Sequence, residues 1–69
     1  MMTFMKRELE VMVACNRASE IFSLDELHNI KEGWRQIGNY EEPHPEYGYP
    51  EIKARILEGD SGKIYIYWV

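Results

Sequence analysis

Cys15, His28 and His44 are the residues of this chain whose types could support thiol or metal chemistry. A cysteine nucleophile needs a base within hydrogen-bond reach and an electropositive setting. Cys15 instead follows the apolar run Val11-Met12-Val13-Ala14, which favours a buried structural thiol. As metal ligands the three residues lack any close spacing such as Cys-x-x-Cys or His-x-x-x-His. His44 lies between two prolines. The carboxylate pair Glu41-Glu42 falls beside a loop, with nothing to bury or tune it. The five glycines are scattered and form no phosphate-cradling loop. The expectation is a protein with no catalytic residue, no metal and no cofactor, hence not an enzyme.

The tyrosines offer a different use. Tyr65 and Tyr67 alternate with Ile64, Ile66 and Trp68, so they share one face of a strand with Val69. Lys53 and Arg55 join that face if the preceding strand pairs in the register argued below. Exposed aromatics beside basic residues resemble a stacking platform for single-stranded nucleic acid. Two basic residues in an acidic chain make a poor one, so nucleic-acid binding stands as the alternative reading. Tyr40, Tyr47 and Tyr49 fall in a segment with Pro43, Pro45 and Pro50. Tyrosine is enriched at protein interfaces. Together with the flanking Glu41 and Glu42, these residues are the candidate protein-binding set.

The elements that must position them are read from periodicity. Glu8 to Cys15 reads as a strand, with Leu9, Val11, Val13 and Cys15 on one face. A helix from Thr3 to Ala14 is the competitor, since Met5, Leu9 and Met12 keep helical spacing. Asn16 to Ala18 is a turn, and Ser19 to Phe22 a short returning strand. Ser23 and Glu26 form a capping box. Leu24, Leu27, Ile30, Trp34 and Ile37 then continue as an amphipathic helix to a Gly38 cap. Residues 39–50 read as a loop. Glu51 to Leu57 and Lys63 to Val69 form a hairpin. A three-residue Asp60-Ser61-Gly62 turn with Gly in the left-handed region places Gly59 opposite Lys63. Ile56 then opposes Ile66, and Ala54 opposes Trp68. This register collects Ile52, Ala54, Ile56, Ile64, Ile66 and Trp68 on one uncharged face; a one-residue slip would mix charge into it. The predicted fold is α+β: an antiparallel sheet in the order strand, strand, helix, strand, strand, with one helix on its inner face.

Sixty-nine residues make a single domain, 1–69. A chain of this size buries roughly 60% of its unfolded surface, a thin margin that often calls for oligomerisation. One cysteine excludes an internal disulfide. A homodimer through the last strand or its Tyr65, Tyr67 and Val69 face is therefore expected. No apolar run reaches the ~20 residues of a membrane span. Met1 to Met5 is too short for the apolar region of a signal peptide, so a cytoplasmic setting is expected. The net charge is −4. Residues 23–50 account for it, with six carboxylates against Lys31 and Arg35. Such a chain does not attract nucleic acid at long range, but it complements a basic protein surface.

In length, the short capped helix from Ser23 to Gly38, strand-rich ends and absence of a catalytic motif, the chain resembles the small acidic accessory proteins encoded by bacteriophages. That loose class includes anti-CRISPR proteins, transcription inhibitors and quorum-sensing anti-activators. The resemblance implies a non-enzymatic protein that inhibits a host protein by covering a functional surface. It carries over no individual residue.

Overall fold

A computed structural model describes residues 2–44, 46 and 48–69, with only the backbone of His44, Tyr49 and Pro50. The elements are β1 (Met2–Thr3), α1 (Lys6–Ala14), β2 (Ala18–Ile21), α2 (Leu24–His28), β3 (Trp34–His44), β4 (Tyr49–Gly59) and β5 (Ile64–Trp68). The class is α+β, as expected, but the order and pairing differ. The sheet has five strands in the order β1-β3-β4-β5-β2 and is mixed. β3, β4 and β5 are antiparallel neighbours, while β1 lies parallel to β3 and β2 parallel to β5. Two helices, not one, serve as the crossovers.

The first correction is that Glu8 to Cys15 does not form a strand. Lys6–Ala14 is helical; apart from Val11 and Val13 it is built from Lys, Arg, Glu, Leu, Met and Ala, all good helix formers. At its start the Glu8 carboxylate accepts the Met5 amide at 3.1 Å. At its end Asn16 adopts φ 57°. The Asn16 amide donates to Val13 and the Arg17 amide to Met12, which is a Schellman closure. Of the supposed strand face only Leu9 is buried; Val11, Val13 and Cys15 are exposed. The buried structural thiol is thus also corrected.

The second correction concerns residues 23–50. The Ser23 cap forms as expected, its hydroxyl accepting the Glu26 amide at 3.2 Å. The helix stops after five residues, capped at Asn29. Trp34–His44, read as helix and then loop, is a strand that runs beside β4. Ile37 is the extra residue of a bulge: Gln36 pairs with Leu57 and Gly38 with Ile56. Gly38 is therefore no helix cap. Its bare Cα makes room for the Phe4 ring, which a Cβ would meet at 2.5 Å.

The β4–β5 register is as read from the sequence. Ala54 opposes Trp68 and Ile56 opposes Ile66, and Gly62 takes φ 87° in the turn. Because the register is right, the core forms on the expected face. Ala54, Ile56, Ile64 and Ile66 pack with Phe4, Leu9 and Tyr40 under α1, flanked by Ile52 and Trp68. The opposite face is not left open. Ile21, Leu27 and Leu57 form a second core beneath α2, with Ile30, Tyr65 and Tyr67 against it. The sheet thus carries one short helix on each face. β5 sits between β4 and β2 and presents no free edge. The motive for a homodimer through that strand falls away with these two facts.

Candidate functional site

β3 and β4 are each eleven residues long, about 36 Å at 3.3 Å per residue. That matches the 36 Å length of a molecule only 24 and 23 Å across. Their neighbours are shorter. β1 pairs with β3 at Gly38 and Asn39 alone. β5 follows β4 only to Ala54, where Trp68 pairs, and the Val69 amide makes a last bond to Lys53. The pairs Glu41–Lys53, Glu42–Ile52 and His44–Tyr49 lie farther out. Among the described residues no third strand flanks them. The hairpin therefore projects from the sheet as a two-stranded ribbon.

The ribbon is acidic. Residues 41–53 hold Glu41, Glu42, Glu46 and Glu51 against Lys53. Four carboxylates against one ammonium give −3 of the chain's −4. Glu51 and Lys53 approach to 3.5 Å as an exposed pair, which solvent screens. Pro43 and Pro50 stand in the ribbon strands and lack a backbone N–H, so they discourage further strand pairing. An isolated hairpin is only marginally stable, and its base is anchored by Tyr40. That ring is buried and packs edge-on to Trp68, with centroids 6.0 Å apart and planes at 86°. The Tyr40 hydroxyl donates to Glu42. Burial, then the Glu42 carboxylate and the charge of Glu10, pushes the phenol up to about 12.

The other expected site residues fall as follows. Glu41 and Glu42 lie on the ribbon, with Lys53 exposed opposite Glu41. Tyr40 is core rather than contact surface. Tyr47 lies outside the described residues; Tyr49 contributes backbone to the ribbon. Arg55 is exposed, facing Asn39 and Tyr67 across the sheet. Tyr65 and Tyr67 are half-buried against the second core, so they do not form an open stacking platform. Val69 is exposed. The structure thus joins Glu41, Glu42 and Lys53 on the ribbon and separates them from Tyr65 and Tyr67. Cys15 closes α1 on one face of the sheet and His28 closes α2 on the other, so the thiol and that imidazole are not brought together.

Sequence reasoning missed Glu32. Its carboxylate accepts the Tyr65 hydroxyl at 2.6 Å, the Ser61 amide at 2.7 Å and the Ser61 hydroxyl at 3.0 Å. The approach to β3 is thereby tied to the β4–β5 turn. The Tyr65 hydroxyl first, and then Ser61, holds the Glu32 carboxyl below its ordinary range. Reciprocally, Glu32 raises the Tyr65 phenol. Lys63 lies 5.6 Å from the centroid of the same ring. The only local hint was small residues nearby: a Cβ on Gly59 would meet the Glu32 carboxylate at 2.5 Å.

No protein-family model, curated protein or solved structure matches this chain. No helix among the described residues is long and apolar enough to cross a membrane.

Proposed function

We propose that this chain is a non-enzymatic binding protein that lays its acidic ribbon on a basic surface of a partner protein and inhibits that partner by covering the surface. The observation that carries the reading is the concentration of charge: −3 of the net −4 falls within residues 41–53, whose described strand pairs form a ribbon that projects beyond both neighbouring strands. A projecting strand pair reaches into a concave or flat surface, and clustered like charge speeds the encounter with its opposite. The resemblance to phage accessory proteins supplies the inhibitory mode and a partner in the host cytoplasm, such as a nucleic-acid-binding protein whose basic groove would be occluded. The nucleic-acid alternative loses its support, because Tyr65 and Tyr67 are packed beneath α2 and Tyr65 is bonded to Glu32.

The test is capture of the partner from host extract, followed by binding kinetics of a Glu41→Gln, Glu42→Gln, Glu51→Gln variant. The reading expects the variant's on-rate at low salt to fall by roughly tenfold or more, with the gap closing as salt is raised. A partner that binds both proteins at equal rates across the salt series overturns it.

A further inference from the structure

The face of the sheet under α1 is wider than the helix that covers it. Five strands at about 4.8 Å spacing span roughly 19 Å. A nine-residue helix is roughly 14 Å long and about 10 Å wide. Beside the helix, where Ile52 and Trp68 are half-buried, lies a groove of about 400 Å³. One flank of α1 makes its wall: Lys6, Glu10 and Val13, spaced by four and three, rise from the same side of the helix. Ile52 and Trp68, both half-buried, line its floor, and the fully buried Ile66 closes it beneath them. The floor is apolar, and most of the charge on the rim is negative. Glu10 and Glu20 line the rim with Lys6. Glu42, opposite Ile52, adds a third carboxylate where the ribbon begins. The charges of Glu10 and Glu42 both act on the Tyr40 phenol, which also lines this groove.

We infer that this groove receives an amphipathic α-helix of the partner protein, with an apolar stripe against Val13, Ile52 and Trp68 and basic side chains facing Glu10, Glu20 and Glu42. This rests on the binding function proposed above and names the element the partner brings. An extended segment does not fit. The floor is the face of a sheet, not its edge, so a strand laid there would leave its backbone groups unpaired. A helix satisfies its own backbone and buries side chains at i, i+3, i+4 and i+7. Helices laid side by side on one sheet face are also the ordinary way to complete such a layer. Among the described residues α1 is the one helix on that face, since α2 packs on the other. The groove runs on to the acidic ribbon, so one basic partner surface engages both.

The experiment uses the full chain with Trp34→Phe, which leaves Trp68 as the sole tryptophan reporter. The probe is a stapled helical peptide of about 14 residues, with a leucine stripe flanked by Lys and Arg. Its counterpart carries Glu at the flanking positions. The expected result is a saturable change in Trp68 emission with the basic peptide, and affinity for the acidic peptide weaker by roughly tenfold. Glu10 and Glu20 are exposed, so Glu10→Lys with Glu20→Lys leaves the fold intact and should reverse the preference. Equal binding of both peptides overturns the inference, as does an unreversed preference or no Trp68 change with the basic peptide. If the ribbon variant Glu41→Gln, Glu51→Gln, which leaves Glu42 in place, abolishes peptide binding while the Glu10 and Glu20 changes do nothing, the helix site is overturned and the ribbon reading stands. A small apolar amphiphile that saturates Trp68 while neither peptide competes with it also overturns the helix and identifies a small-ligand pocket.

Discussion

Replacing Gly38 with alanine tests the packing of β1 and α1 onto the sheet. An added Cβ would meet Phe4 ring carbons at 2.5 and 2.8 Å and the Met2 carbonyl oxygen at 2.6 Å. The ring could turn; the Met2 carbonyl belongs to the backbone of β1 and cannot yield without moving the strand. Gly38 is not among the positive-φ residues, so the cost is steric rather than conformational. Overpacking of this kind costs about 1–3 kcal/mol. The alternative escape is release of β1. That exposes Phe4, now buried, for about 2 kcal/mol, and gives up the bond from the Phe4 amide to Asn39, 2.8 Å long, for about 1 kcal/mol. Either way the expected loss is about 2–3 kcal/mol, from a total of about 3–10 kcal/mol for a chain of this length. With a urea m-value of about 1 kcal/mol/M, the midpoint should fall by roughly 2–3 M, followed by tryptophan fluorescence. A Phe4→Leu partner makes this a double-mutant cycle, and a coupling of at least about 0.5 kcal/mol is expected. Were Gly38 the cap of a long helix instead, alanine would cost about 1 kcal/mol and would not couple to Phe4. A loss below that value with zero coupling refutes the placement of β1 and with it the base of the proposed ribbon.

Two further outcomes follow from local geometry. Asn16→Gly should raise the melting temperature by roughly 2–4 °C, because glycine removes the left-handed strain at φ 57° that closes α1, and Asn16→Val should lower it; a fall with glycine would remove the Schellman closure from the account. Stability should decline at both ends of the pH range: Glu32 is depressed in the fold, so its contribution is full above the ordinary carboxylate range and is lost as pH falls through its folded value. Tyr40 is raised to about 12, so its contribution is full below about 10 and is lost as pH climbs toward 12. Urea midpoints across pH should show both limbs, with Glu32→Gln flattening the acid one and absorbance at alkaline pH showing Tyr40 and Tyr65 titrating late; an acid limb unchanged by Glu32→Gln refutes the clamp.

What could be read from the sequence divides along the reach of the interactions. The β4–β5 hairpin was legible because turn chemistry and face partition agree: Gly62 suits the left-handed position of a three-residue turn, and of the possible registers only the one that turn sets segregates the isoleucines from Lys53 and Arg55. The Ser23 cap was legible for the same local reason. Residues 6–14 were ambiguous because Leu9-x-Val11-x-Val13 satisfies a period of two while Met5, Leu9 and Met12 satisfy a period near 3.6. The deciding signals sit outside the repeat, in Glu8 reaching back to Met5 and in Asn16 closing the end. The long helix ending at Gly38 failed differently. Leu27 and Ile30 do pack as a helical stripe would, against Leu57 and Tyr65. Beyond Gly33 the same spacing continues by coincidence into a strand whose partner is β4, up to 25 residues away. No local pattern carries that pairing, nor the parallel pairing of β2 with β5. The candidate site inherits this division. Its charges were plain in the sequence as an acidic stretch with prolines, which reads as a loop. Only the long-range pairing of Glu41 with Lys53 and Glu42 with Ile52 turns that stretch into a projecting ribbon. The groove draws on both kinds of signal: the hairpin register, which opposes Ala54 to Trp68, sets Ile52 near Trp68 on its floor, while its wall is α1, whose helical period competes with a strand period in the sequence.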